Sequence, residues 1–211
     1  MPRPAPSERP RRRGRPPKEL DRRQIAEAVE RILERDGADG VSVERAATEL
    51  SVSRTTLYRT VPTKQHLLGL VFEKLTADLL ASALAATEAP GRPPGERLHA
   101  LMSIHIGAAV RMREYLMVFF DGGDLPADVY ANWHRWRHRY EEVWRETVSA
   151  AMDDGTLRQG DVAVATRLVL GMCIWTSRWY RPERDPDADR IADLAFSLLD
   201  QRSTDPQRRT P

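Results

Sequence analysis

The sequence predicts an all-α chain of about nine helices, a small basic triplet followed by a larger helical bundle. Three observations carry that expectation. Apolar residues recur at helical spacing from residue 25 onward, Ser or Thr stands at the start of successive short segments as an N-cap, and no convincing run alternates apolar with polar residues as a half-buried strand would. At 211 residues the chain can bury a real core, as one compact unit or as two small helical domains.

The first helix begins after Asp21, where Ile25, Ala28, Val29, Ile32 and Leu33 share one face, and Gly37 and Gly40 end it. Ser42 caps a second, in which Val43, Ala46, Ala47 and Leu50 repeat the spacing and Glu44 suits the positive end of the dipole. Ser53 caps a third. It finishes near Thr60, because Pro62 biases Val61 towards an extended conformation. Thr63 caps a fourth that runs through Leu67, Val71, Leu75 and Leu79 to about Ala89, where "APGRPPGE" breaks it. Further helices are expected over 95–110, 113–121, 126–153, 161–180 and 187–201, joined by "FDGGDLP", "DDGTLRQGD" and "RPERDPD". No internal repeat of fixed period is present.

Charge divides along the same line. Residues 1–64 carry 15 Lys and Arg against 10 Asp and Glu, net +5, whereas the remainder carries 18 against 21, net −3. The basic end is the one expected to meet a polyanion. No stretch approaches the roughly 20 apolar residues of a membrane span, and the N-terminus lacks the apolar segment of a secretory signal, so a soluble cytoplasmic protein with no membrane partner is expected. Cys173 lies alone in an apolar run, which excludes a disulfide framework. It reads as a small buried hydrophobe, since no activating group lies near it in sequence.

Two short helices about four residues apart, the second rich in hydroxyl side chains and arginine, make a helix-turn-helix candidate. Ala46, Ala47 and Leu50 supply the packing face, Val52 plugs the turn and Leu57 packs inward, leaving Ser53, Arg54, Thr55, Thr56 and Arg59 free. Short hydrogen-bonding side chains let such a helix approach base edges in a major groove. Tyr58, Thr60 and Lys64 stand where they can reach phosphates. Pattern alone also allows a plain helical hairpin within a core.

The order of these motifs adds weight to the first reading. "RRQIAEAVERIL", "VSVERAATEL", "VSRTTLY" and "TKQHLLGLVF", within residues 22–75, resemble the DNA-binding domain of the TetR-like repressor family, with its "VS-x-x-x-LY" recognition helix and its "K-x-x-L" start to the fourth helix. Three positions depart from that pattern. Thr60 and Val61 replace an aromatic or histidine followed by phenylalanine, and Ser51 replaces the frequent glycine of the turn. The resemblance implies a homodimer on a palindromic double-stranded operator, with the later helices forming a ligand-sensing and dimerising domain.

Ahead of this lies "MPRPAPSERPRRRGRPPKEL", with six prolines, seven basic residues and too few apolar ones to offset the entropy of ordering. Within it, Arg11, Arg12, Arg13, Arg15 and Lys18 are similar to an AT-hook, an Arg-Gly-Arg-Pro core lying in a narrow minor groove. A polybasic tail adding only non-specific attraction accounts for the same residues. With Arg22, Ser42 and Val43 at the starts of the first two helices, these complete the expected DNA-contacting set.

The expected organisation is a flexible basic arm over 1–20, a helix-turn-helix domain over 21–65, a ligand-binding and dimerisation domain over 66–203 and a disordered tail over 204–211. In the larger domain, Val129, Trp133, Trp136, Tyr140 and Val143 form one helical stripe, and Leu168, Met172, Trp175 and Trp179 another. Such stripes build cores, and they also line apolar pockets. The expected pocket set is Met102, His105, Phe119, Trp133, Arg137, Tyr140, Met172 and Trp175. His105 reads either as a satisfied core histidine or as a group that orients a ligand. "WTSRWYRPE" resembles a subset of the family that senses acyl-CoA-like thioesters, and the arginines at 111, 113, 135, 137 and 139 offer either a partner for an anionic head group or a solvated face.

Leu168, Trp179, Ile191, Leu194, Ala195 and Leu198 are the expected dimer contacts. His134 and His138 share a face but lack a companion ligand, so no metal and no cofactor are expected. The function expected is a ligand-responsive repressor released by a small, apolar or acyl-CoA-like effector. A ligand-independent architectural DNA-binding protein and a small helical enzyme are the alternatives. The enzyme has no carboxylate pair, nucleophile elbow or phosphate loop to support it.

Overall fold

The computed structural model describes residues 20–113 and 126–204, and these form eight α-helices and two short 3-10 turns with no strand among them. Helix α1 (Arg22–Asp36) starts at Asp21, whose carboxylate accepts from Arg23 N–H, and stops at Gly37, which takes φ 68°. A 3-10 turn (Ala38–Gly40) leads to α2 (Val43–Glu49), capped by Ser42, and α3 (Arg54–Thr60), capped by Ser53. Each hydroxyl accepts an N–H that the first helical turn leaves without an intrahelical partner.

Helix α4 (Lys64–Thr87), capped by Thr63, follows with 24 residues, about 36 Å of helix at 1.5 Å per residue. Helices α5 (Pro94–Arg111), α6 (Ala127–Asp153), α7 (Val162–Trp179) and α8 (Ala188–Ser197) complete the bundle, and a second 3-10 turn (Gln201–Thr204) closes it. The helix expected over 113–121 falls almost wholly outside the described residues. The one expected over 187–201 ends earlier, at Ser197, because Leu199 N–H turns to the carbonyl of Phe196 in an i to i+3 bond.

Two large apolar cores result, with a small cluster of Phe72, Ala108 and Met112 beside them. The first gathers Ile25, Ile32, Ala46, Leu57, Val61 and Leu67 from α1 to α4 and their connections. The second gathers Leu98, Met102, Ile106, Tyr140, Trp144 and Cys173 from α5, α6 and α7. Helix α4 serves both, with Leu67 and Val71 in the first core and Leu79, Ala83 and Leu84 at the second. This is why its sequence shows no single apolar face: residues 67–72 are buried consecutively, with α1 on one side and α6 on the other. The α4–α6 approach needs Gly69, since a Cβ there would lie 2.6 Å from Val129 Cγ2.

Candidate nucleic-acid interface and effector cavity

The turn between α2 and α3 is a Schellman ending. Ser51 N–H donates to the carbonyl of Thr48 at 3.0 Å and Val52 N–H to that of Ala47 at 2.9 Å, satisfying carbonyls that the end of α2 leaves open. The geometry demands a left-handed residue, and Ser51 takes φ 54°, the only described non-glycine residue with positive φ. Val61, where a phenylalanine is usual in the TetR-like pattern, is buried in the first core and donates to the carbonyl of Leu57 at 2.7 Å. It keeps the packing role with a smaller side chain.

With Leu57 turned inward, α3 leaves Arg54, Thr55, Arg59 and Thr60 exposed on its outer face. Ser53 and Thr56 are partly engaged, Ser53 Oγ accepting from Thr56 N–H at 3.1 Å and lying 2.7 Å from Thr56 Oγ1. Tyr58 donates its hydroxyl to Glu44 on α2 at 2.9 Å. Hydrogen bonding from its own backbone, then from Tyr58, holds the Glu44 carboxyl below the usual range, and the same contact pushes the Tyr58 phenol up. Lys64 begins α4 and is half-buried.

One expected DNA contact needs correction. Val43 is buried among the apolar residues of the first core, because the first turn of α2 faces α1, so its side chain cannot meet DNA. Arg22 stays exposed at the start of α1 while pairing with Glu73 on α4 at 2.9 Å. Ser42 is half-buried and spends its oxygen as the α2 cap, accepting from Arg45 N–H at 3.2 Å. Arg11, Arg12, Arg13, Arg15 and Lys18 lie outside the described residues.

In the bundle, a cavity of about 520 Å³ opens between α4, α5, α6 and α7, within the size range of small-molecule sites. Of the expected pocket residues it brings together His105, Trp133, Arg137 and Tyr140. Met102 is not a wall: it is fully buried in the bundle core on another face of α5. Met172 packs against that core, and Trp175 is 64% exposed on the far side of α7. A helical stripe was a poor guide here, because a helix in a bundle has neighbours on two faces. Phe119 lies outside the described residues. Phe72, Thr76 and Leu79 of α4 and Ile174 of α7 are walls that no motif announced, and the consecutive apolar run of α4 was a sign for Phe72 alone.

The walls are mostly apolar, with Arg137, Glu141 and Arg167 as the charged exceptions. Arg137 lies over the Trp133 ring, 5.3 Å from its centroid. His105 Nδ1 is 2.9 Å from the Tyr140 hydroxyl, with the two rings stacked at 5.7 Å and Trp144 edge-on to His105 at 5.6 Å. Burial lowers the His105 pKa to about 4, so the ring is neutral at pH 7. Burial also pushes the Cys173 thiol up to about 12, which leaves it an unreactive packing group.

On the opposite side of α7 and along α8, Leu168 (69% exposed), Trp175, Trp179, Leu194 and Leu198 (82% exposed) form an exposed apolar strip. Ile191 and Ala195, expected alongside them, point the other way into the bundle core. Helix α8 is amphipathic, and these two occupy its inner face. Among the described residues no three His, Cys, Asp or Glu side chains cluster as metal ligands, and no helix is long and apolar enough to cross a membrane. His134 and His138 belong instead to an aromatic run with Tyr130 and Trp133.

Comparison with known proteins agrees with this geometry. A family model described as the tetracyclin repressor-like C-terminal domain matches residues 91–201, and a helix-turn-helix model of the Psq type matches residues 21–68. The HTH-type transcriptional repressor DrrR1 of Streptomyces coeruleorubidus is 39% identical over 67 residues, 32% of this chain and 24% of that protein, so the match spans about a quarter of the relative's length. A transcriptional regulator of the TetR/AcrR family from Thermobifida fusca YX-ER1 superposes with a TM-score of 0.74 at 26% identity, over 84% of this chain and 95% of its own. AibR, solved with isovaleryl coenzyme A and operator DNA, shares the fold, with a TM-score of 0.67 at 24% identity over 84% of this chain and 97% of its own.

Proposed function

Because the chain belongs to the TetR-like family of helix-turn-helix transcriptional regulators, we propose that it is a homodimeric, ligand-responsive repressor that leaves its operator when a small effector fills the bundle cavity. One observation carries the reading most directly: α3 presents Arg54, Thr55, Arg59 and Thr60 outward from a Schellman turn, on the apolar core that α1 to α4 share. A single recognition helix reads only a few base pairs, so a two-fold pair placed about one helical turn apart on double-stranded DNA supplies the specificity. Arg54 and Thr55 read base edges, Thr56 supports them, and Arg59, Thr60 and Lys64 hold phosphates. Tyr58 supports α3 through Glu44. The basic arm, with Arg11, Arg12, Arg13, Arg15 and Lys18, adds affinity and salt dependence.

The exposed apolar strip of α7 and α8 is the proposed dimer surface, since burying Leu168, Trp179 and Leu198 against a second copy removes apolar area from water. The proposed effector is apolar or acyl-CoA-like. The apolar walls support this, as do Arg137 and Arg167 as partners for an anionic group, and the shared fold with a regulator solved with an acyl-CoA. Phe72, Thr76 and Leu79 put α4 in direct touch with anything in the cavity, and α4 also packs on α1. An effector that prefers one position of α4 thereby shifts the population of DNA-competent dimers.

Footprinting of the purified protein on DNA upstream of its own gene tests the reading. A protected palindrome is expected. Protection nowhere along that DNA, with random-site selection also yielding no consensus, would refute it.

A further inference from the structure

The cavity holds a polar device that its apolar walls do not need. His105 is buried to 93% yet lines the cavity, and only one of its ring nitrogens, Nδ1, has a partner, the Tyr140 hydroxyl at 2.9 Å. Its Nε2 has no hydrogen-bond partner among the described residues and is not enclosed by protein atoms, so it opens on the cavity.

The proton positions follow from the Tyr140 hydroxyl, whose hydrogen-bond partner among the described residues is His105 Nδ1 alone. If His105 Nδ1 donated to that oxygen, the phenolic proton would have no acceptor among the described residues, the costly arrangement for a polar group. The Tyr140 O–H therefore donates to Nδ1, and the single proton of the neutral imidazole resides on Nε2. The result is one fixed N–H donor aimed into a mostly apolar space.

Resting on the effector-cavity reading above, we propose that His105 Nε2–H recognises a carbonyl oxygen, so the effector class is an apolar molecule bearing a ketone, ester or thioester carbonyl buried in the cavity. Tyr140 acts as a positioning residue that holds the donor tautomer. A hydrocarbon of the same shape leaves the donor unpaired. A molecule that presents a hydrogen-bond donor to Nε2–H meets another donor, not an acceptor.

A matched pair of probes tests this on the full chain by equilibrium dialysis: 2-acetylnaphthalene and 2-ethylnaphthalene, alike in size and differing by one carbonyl oxygen. The native protein is expected to prefer the ketone by about tenfold, the weight of one buried hydrogen bond. His105→Phe is expected to abolish or invert that preference while still binding the hydrocarbon. Tyr140→Phe, which keeps the ring stack and frees the tautomer, is expected to reduce it several-fold, and remains informative if the His105 variant fails to fold. Equal binding of both probes by the native protein, or an unchanged preference in Tyr140→Phe, overturns the carbonyl assignment and leaves the cavity reading intact. Binding of neither probe overturns the cavity reading itself.

Discussion

Asn132 on α6 donates to Glu73 on α4 at 2.5 Å, and the other oxygen of the same carboxylate receives Arg22 of α1 at 2.9 Å. One side chain therefore joins the helix of the DNA-binding end to a helix of the cavity wall. It sits one residue beyond Phe72, which touches the cavity.

Removing Glu73 and Asn132 singly and together is expected to give a coupling energy of about 0.5 to 1.5 kcal/mol in urea unfolding, since the two share a direct hydrogen bond to a charged group. The Arg22 arm of the same carboxylate contributes less, because Arg22 is largely exposed and its charge is screened by solvent. A double-mutant cycle measures the coupling, and strictly additive single effects would show that the contact is not energetically used.

Ser51→Gly is expected to raise stability by about 0.5 to 1 kcal/mol, because glycine adopts φ 54° without the steric cost of a Cβ. The gain is partly offset by the greater freedom of glycine in the unfolded chain. Urea midpoints of the two proteins decide it. Operator affinity should not change, since Ser51 contributes backbone geometry only.

Arg54→Ala and Thr55→Ala are expected to weaken operator binding by about 1 to 3 kcal/mol each while leaving binding to unrelated DNA nearly unchanged. Arg59→Ala should weaken both alike and lower the salt slope by about one. Mobility shifts at several salt concentrations separate the two behaviours.

Leu168→Glu combined with Leu198→Glu is expected to yield a folded monomer by light scattering, because both side chains are exposed in the single chain and their loss leaves each core intact. Ala195→Glu should instead unfold the bundle. Its side chain faces the core, where an unpaired charge is not tolerated.

His105 makes stability fall with acid. The native ring has a pKa of about 4, below the ordinary value of about 6.5, so the unfolded chain binds a proton that the native chain refuses. Stability from this group is full above pH 6.5, declines as pH falls from there towards 4 and then levels, a loss of at most about 3 kcal/mol. The difference between native and His105→Gln unfolding profiles over that window isolates it from the carboxylates.

The amino-acid sequence by itself determined the helical order, the caps at Ser42, Ser53 and Thr63, and the outward face of α3. These depend on neighbours within one or two turns, and Ser51 adopted the turn geometry because the Schellman hydrogen bonds of α2 demanded it locally. Only the tertiary structure decided which face of each long helix looks where. Trp133 and Trp175 belong to equally plausible stripes, yet one lines the cavity and the other lies outside on the exposed strip, while Val43 and Ile191 turned inward from faces expected to meet partners. In a bundle a helix is covered from several directions at once, so periodicity locates its apolar residues without saying which of them meet core, cavity or solvent.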